Sequence, residues 1–101
     1  ALKEESIDLV ETFNYIAGID VKHINRKDNG KTKYLFVIGK RQEKEVLVIW
    51  RNKDKNFDPV KEREFIKNEF KESFDEIYTN GNSLIPNAKA VDEIFKANLF
   101  R

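Results

Sequence analysis

Residues 44–51 read K-E-V-L-V-I-W-R, five consecutive apolar residues from Val46 to Trp50 between charged flanks. Val46, Val48 and Ile49 are β-branched and Trp50 is aromatic. A run this short, apolar and β-branched reads as a strand covered on both faces. A two-sided strand lies inside a sheet, so other strands should flank it and helices should cover it. Nothing within the run can do chemistry.

The segments on either side supply those partners. Ser6 reads as the cap of a first helix ending near Ala17, with Leu9, Val10, Phe13, Ile16 and Ala17 on one face and Asp8, Glu11 and Asn14 toward the other. Gly18 suits a left-handed helix end. Ile19–Arg26 reads as a strand with imperfect alternation. Lys27–Lys33 holds turn chemistry centred on Asn29-Gly30. Tyr34–Lys40 reads as a second strand, and Gly39 leads into a short charged loop before the Lys44–Arg51 strand returns. The three strands form an antiparallel meander.

Asp58-Pro59 supplies a capping carboxylate followed by proline at the first helical position. The helix it opens should run to about Phe74. Its apolar stripe is Val60, Phe65, Ile66, Phe70 and Phe74. Its solvated face is Lys61, Glu62, Arg63, Glu64, Lys67, Glu69, Lys71 and Glu72. Asp75–Thr79 then reads as a strand parallel to Lys44–Arg51, reached by a right-handed crossover. Asn80–Ser83 is a turn, and Ala88–Phe100 reads as a closing helix with Val91, Ile94, Phe95 and Leu99 inward. The expected fold class is α+β: a four-stranded mixed sheet, an antiparallel meander plus one parallel strand, with about three helices packed on it.

Composition narrows the function. The chain has 101 residues, the size of a single domain (residues 1–101) with one core. Lys and Arg total 19 against 18 Asp and Glu, without the basic excess of a dedicated electrostatic nucleic-acid binder. There is no cysteine, which excludes disulfides and thiolate chemistry and fits a cytoplasmic setting. No apolar run approaches the roughly 20 residues of a membrane span, and no signal peptide is visible. The chain opens A-L-K-E-E without methionine, and the expectation is a fragment of a longer protein.

Candidate chemistry is sparse. His23 is the only histidine, and no metal-ligand spacing surrounds it; a strand-surface or packed histidine is the favoured reading. Glu43 and Glu45, flanked by lysines, faintly match the acidic-x-lysine element of magnesium-dependent nucleases, against the simpler reading of a charged hairpin loop. The four glycines, at 18, 30, 39 and 81, are scattered singly and make no phosphate loop. Ser6, Ser73 and Ser83 lack a nucleophile elbow. Lys31, Lys33, Tyr34, Lys40 and Arg41 could form a modest basic-aromatic patch, against a solvated hairpin. Trp50 is read as core ahead of interface anchor, where Trp and Arg are enriched.

Three stretches carry a resemblance: Asp8–Ile19 (D-L-V-E-T-F-N-Y-I-A-G-I), Val46–Arg51 (V-L-V-I-W-R) and Glu76–Ile85 (E-I-Y-T-N-G-N-S-L-I), followed by Pro86. In this order and spacing the chain resembles the C-terminal region of the modification subunit of type III restriction–modification systems. Those subunits are adenine-specific DNA methyltransferases using S-adenosylmethionine. The family's catalytic Asp/Asn-Pro-Pro-Tyr motif and its Phe-x-Gly-x-Gly cofactor motif do not occur here, because Pro59 and Pro86 are isolated and there is no G-x-G. No catalytic, cofactor or metal residue therefore carries over. Where the family's Y-x-N-G turn is followed by an acidic residue, this chain has Asn82. The resemblance implies a non-catalytic tail that supports dimer formation, contact with the restriction subunit, or DNA clamping. Contact residues are placed at the C-terminal edge of the parallel strand pair: Trp50, Arg51, Asn80, Gly81, Asn82 and Ser83. A small magnesium-dependent nuclease-like domain and an independent DNA-binding module are the alternatives.

Overall fold

The computed structural model describes residues 4–99, and the side chains of residues 8–98. A mixed sheet of five strands, ordered β1-β2-β3-β4-β5, is covered by helices on both faces. The strands are β1 (Asp20–Asn29), β2 (Thr32–Arg41), β3 (Lys44–Asn52), β4 (Glu76–Thr79) and β5 (Ala88–Ala90). The helices are α1 (Glu4–Ala17), α2 (Pro59–Glu69) and α3 (Val91–Leu99). The class is α+β. Among the described residues no helix is long and apolar enough to cross a membrane.

β3 is the middle strand, antiparallel to β2 and parallel to β4. Side chains alternate across a strand, so its apolar run feeds two cores. Val46, Val48 and Trp50 pack with Val10, Phe13 and Ala17 of α1, Tyr78 of β4 and Val91 of α3. Leu47 and Ile49 pack with Tyr34 and Phe36 of β2, Ile66 of α2, and Ile85. Phe13 lies edge-on to Trp50, Tyr78 and Phe95, with ring centroids 5.6–5.8 Å apart.

Gly18 ends α1 at φ 69°. Its amide bonds Tyr15 O, and the Ile19 amide bonds Asn14 O, the paired pattern of a left-handed C-terminal cap. Asp58 opens α2, its carboxylate accepting from the Val60 and Lys61 amides.

Several expectations are corrected. The sheet has five strands, because Ala88–Ala90 pairs in parallel with Ile77–Thr79 before α3 begins. A parallel crossover ordinarily takes a dozen or more residues and a helix; residues 80–87 make this one as an irregular loop, with Asn87 at φ 64°. The expected inner residue Leu99 has its side chain outside the described set, and Phe100 lies outside the described residues. α1 already includes Glu4 and Glu5, so Ser6 lies within the helix and is not its cap. Leu9 is exposed, whereas Asn14, expected outward, has a buried Oδ1. The β1–β2 turn centres on Gly30-Lys31, with Gly30 alone taking the positive φ. α2 stops at Glu69: Phe70 is already extended, so Phe70 and Phe74 reach the core from the following loop. Val60, placed in the apolar stripe, is half exposed, and Glu62, placed on the solvated face, is 1% exposed.

Candidate functional site

The C-terminal edge of β3 and β4 is organised by Arg51. Residue 51 follows Leu47 and Ile49 on the α2 face of β3, so its side chain enters the gap between the sheet and the start of α2. There the guanidinium is fully enclosed. Its Nε donates to Glu62 Oε2 at 2.9 Å, its Nη1 to Asn80 O at 2.6 Å and its Nη2 to Asn82 O at 2.6 Å. Arginine's planar fork suits a site that demands several donors at fixed angles. The Phe57 ring lies over the guanidinium carbon at 5.9 Å.

The backbone of the same residue completes the clamp. Arg51 N donates to Asn80 Oδ1 at 2.8 Å, and Asn80 Nδ2 returns a bond to Arg51 O at 3.0 Å. An asparagine side chain thus extends the β3 ladder just past the last residue of β4, in place of another strand residue. Thr79 Oγ1 donates to Gly81 O, and Gly81 turns the chain at φ 90°. Asn80–Asn82 is therefore shaped by an arginine roughly thirty positions away in the chain.

Glu62 supplies the opposite charge from the first turn of α2. Oε2 also accepts from the Tyr34 hydroxyl at 2.9 Å. Burial first, then the bond to Glu62, pushes the Tyr34 hydroxyl well above its ordinary pKa. Arg51, Glu62 and Tyr34 join β3, α2 and β2 into one enclosed network. Beside it, a cleft of about 380 Å³ opens between the β1–β2 turn, the loop after β3 and the start of α2. In its wall Asp54 accepts from Thr32 Oγ1 at 2.9 Å and from the Asn56 amide. The Thr32 hydroxyl, then the Asn56 amide, hold the Asp54 carboxyl below its usual range.

The six expected contact residues follow the ends of β3 and β4, but Trp50 and Arg51, both buried, point to opposite faces of β3. Trp50 is 3% exposed in the α1–α3 core and Arg51 is 4% exposed. Asn80 and Ser83 are half-buried, and Ser83 Oγ accepts from the Ile85 amide. Gly81 and Asn82 face solvent beside exposed Lys53, whose Nζ lies 5.0 Å from the Phe57 ring centre.

The other candidates are dispersed. His23 sits exposed on β1. Glu43 occupies the β2–β3 turn at φ 68°, and Glu45, at the start of β3, lies 3.6 Å from Lys40 Nζ. Of the basic-aromatic patch, Tyr34 is buried toward Glu62, and Arg41 bonds Ala17 O and Glu76. Among the described residues no group of three or more His, Cys, Asp or Glu is placed to hold a metal ion.

Sequence reasoning missed Glu62, although a signal was available. Glu62 and Ile66 are spaced four apart, so Glu62 stands in the row that carries the helix's buried apolar residue. A charge in that row needs a buried partner, and Arg51, on the α2-facing side of β3, is that partner.

Comparison of the chain with protein-family models, with curated proteins and with solved structures finds no match in any of the three.

Proposed function

We propose that this chain is a non-catalytic C-terminal module of a type III adenine-N6 DNA methyltransferase, serving assembly or DNA clamping. In this reading the parent transfers a methyl group from S-adenosylmethionine to adenine in DNA, in the cytoplasm. The module contributes a scaffold and a contact surface.

One observation supports this reading above the others: the three stretches that carry the resemblance are one another's packing partners. Phe13 of the first lies against Trp50 of the second and Tyr78 of the third. Arg51 of the second holds the Asn80 and Asn82 carbonyls of the third, and Asn80 bonds back to Arg51. Residues that specify each other in this way define a fold, and a domain whose most distinctive polar groups are sealed inside suits a scaffold role. The exposed Gly81-Asn82 tip with Lys53 is the part of this edge left for a partner.

The test is made on the full gene product and on the same protein lacking these residues. Methyl transfer to duplex DNA is followed with labelled S-adenosylmethionine, and molar mass by light scattering. The expected result is that the deletion loses its dimer or its complex with the restriction subunit, while residues 1–101 alone transfer no methyl group. A gene product without a methyltransferase core, or methyl transfer by residues 1–101 alone, would overturn the reading.

A further inference from the structure

β1 is a strand that the core does not use. It spans ten residues, and from Asp20 to Asp28 every one is exposed. Ile24, on the α1 side of the sheet, is 54% exposed. The backbone is held by β2 alone, so β1 stands out as a fin with both faces bare.

The fin is basic on a molecule that otherwise is not. Between Asp20 and Lys33 there are five Lys or Arg (Lys22, Arg26, Lys27, Lys31, Lys33) against two Asp, while the whole chain carries +1. The remainder is therefore net negative. Lys22 pairs with Asp20, Lys33 with Asp28 and Lys27 with Glu69 of α2, all on lysines 40–51% exposed. Such pairs hold their partners weakly and exchange readily for a stronger anion. Arg26 makes no ion pair among the described residues, and Lys31 shares its field with Asp54.

A bare edge strand could instead add a strand from another protein. Here that edge carries Lys22 and Lys27 and is broken by a register shift between Val21 and His23. Charged edges and bulges are the features that oppose strand addition. The bare faces, the basic excess and the blocked edge fit a polyanion better than a peptide.

We infer that the β1 fin is a nucleic-acid contact surface that docks on the phosphate backbone of a DNA duplex through Lys22, Arg26, Lys27 and the Lys31–Lys33 turn. This deepens the clamping part of the proposed function and rests on that reading for its biological setting, though not for its chemistry.

The experiment is fluorescence anisotropy of a labelled duplex titrated with residues 1–101 across a salt series. Binding should weaken steeply with salt, by about 0.9 in log–log slope for each phosphate neutralised. Lys22→Gln/Arg26→Gln/Lys27→Gln should reduce the slope by about 2.7 and raise Kd at least about tenfold at low salt. Lys55→Gln/Lys67→Gln/Lys71→Gln, equal in charge but off the fin, should bind as wild type. Asp20→Asn/Asp28→Asn should bind several-fold tighter, a gain that a misfolded variant does not produce. Absence of binding at low salt, equal losses in both lysine sets, no gain from the Asp variants, or equal binding to phosphatidylserine vesicles would overturn the inference. Loss of binding with assembly of the full gene product intact sinks the fin alone. Fin-dependent binding in a gene product without a methyltransferase core sinks the parent assignment alone.

Discussion

Replacing Glu62 with leucine should be among the most damaging single changes outside the apolar core. Both members of the Arg51–Glu62 pair are fully enclosed, with Nε and Oε2 2.9 Å apart. Removing one partner leaves a buried charge uncompensated, at a typical cost of about 3–5 kcal/mol. Arg51 keeps the carbonyls of Asn80 and Asn82, which places Glu62→Leu toward the lower part of that range, about 3–4 kcal/mol. The Tyr34 hydroxyl also loses its acceptor. For a chain of this length each kcal/mol lowers Tm by about 4–8 °C, so a fall on the order of 12–32 °C follows. Urea unfolding can be followed by the fluorescence of Trp50, the only tryptophan and a buried one. The decisive comparison is a cycle with Arg51→Met and the double variant. If the pair acts as a unit, the double variant costs about 2 kcal/mol less than the two single costs added together. A cost for Glu62→Leu under about 1 kcal/mol, the size found for exposed pairs, or strict additivity of the two changes, would refute the enclosed-pair account.

Three further outcomes follow from the same geometry. Gly39→Ala would put a methyl group 3.0 Å from the Asp20 carbonyl carbon and from Ile19 Cγ2, and closer still to the Asp20 carbonyl oxygen. β1 must shift or strain, so a loss of about 2–3 kcal/mol is expected in urea unfolding. Gln42 and Glu43 both hold positive φ in the β2–β3 turn, 51° and 68°; Gln42→Asn/Glu43→Gly supplies residues suited to that geometry and should raise stability by about 1 kcal/mol. Folding raises the pKa of Tyr34, so above about pH 10 the unfolded chain releases this proton while the native state keeps it. The stabilisation is complete below that pH and is lost as pH rises, by up to about 1.4 kcal/mol per pH unit. Tyr34→Phe should flatten part of this alkaline loss in denaturation measured from pH 9 to 11, leaving the part due to Tyr78, whose pKa is also raised, chiefly by burial.

How much of the molecule could be read in advance divides along the range of the interactions. The two-sided character of β3, the Asp58-Pro59 helix start, the Gly18 helix end and the parallel pairing of β3 with β4 were all legible in the chain. The first three depend on the order of polar and apolar residues within a few positions or on one residue's backbone preference, and the pairing follows from the handedness of a strand–helix–strand connection. Trp50 read correctly as core for the same reason.

Tertiary structure decided the rest. β5 has only the pattern A-K-A, too short to show a period, and becomes a strand because β4 offers it an edge. α2 ends at Glu69 because Phe70 and Phe74 meet the α2-side core from an extended chain. Above all, the roles of Arg51 and Glu62 depend on residues distant in sequence: the arginine meets its glutamate 11 positions later and the Asn80–Asn82 carbonyls 29 to 31 positions later. A charged side chain reads as solvated until its partner is known. Local order in the chain therefore set most of the elements and their faces, while the meeting of distant charges in a buried gap determined which polar groups lock the edge and which remain exposed.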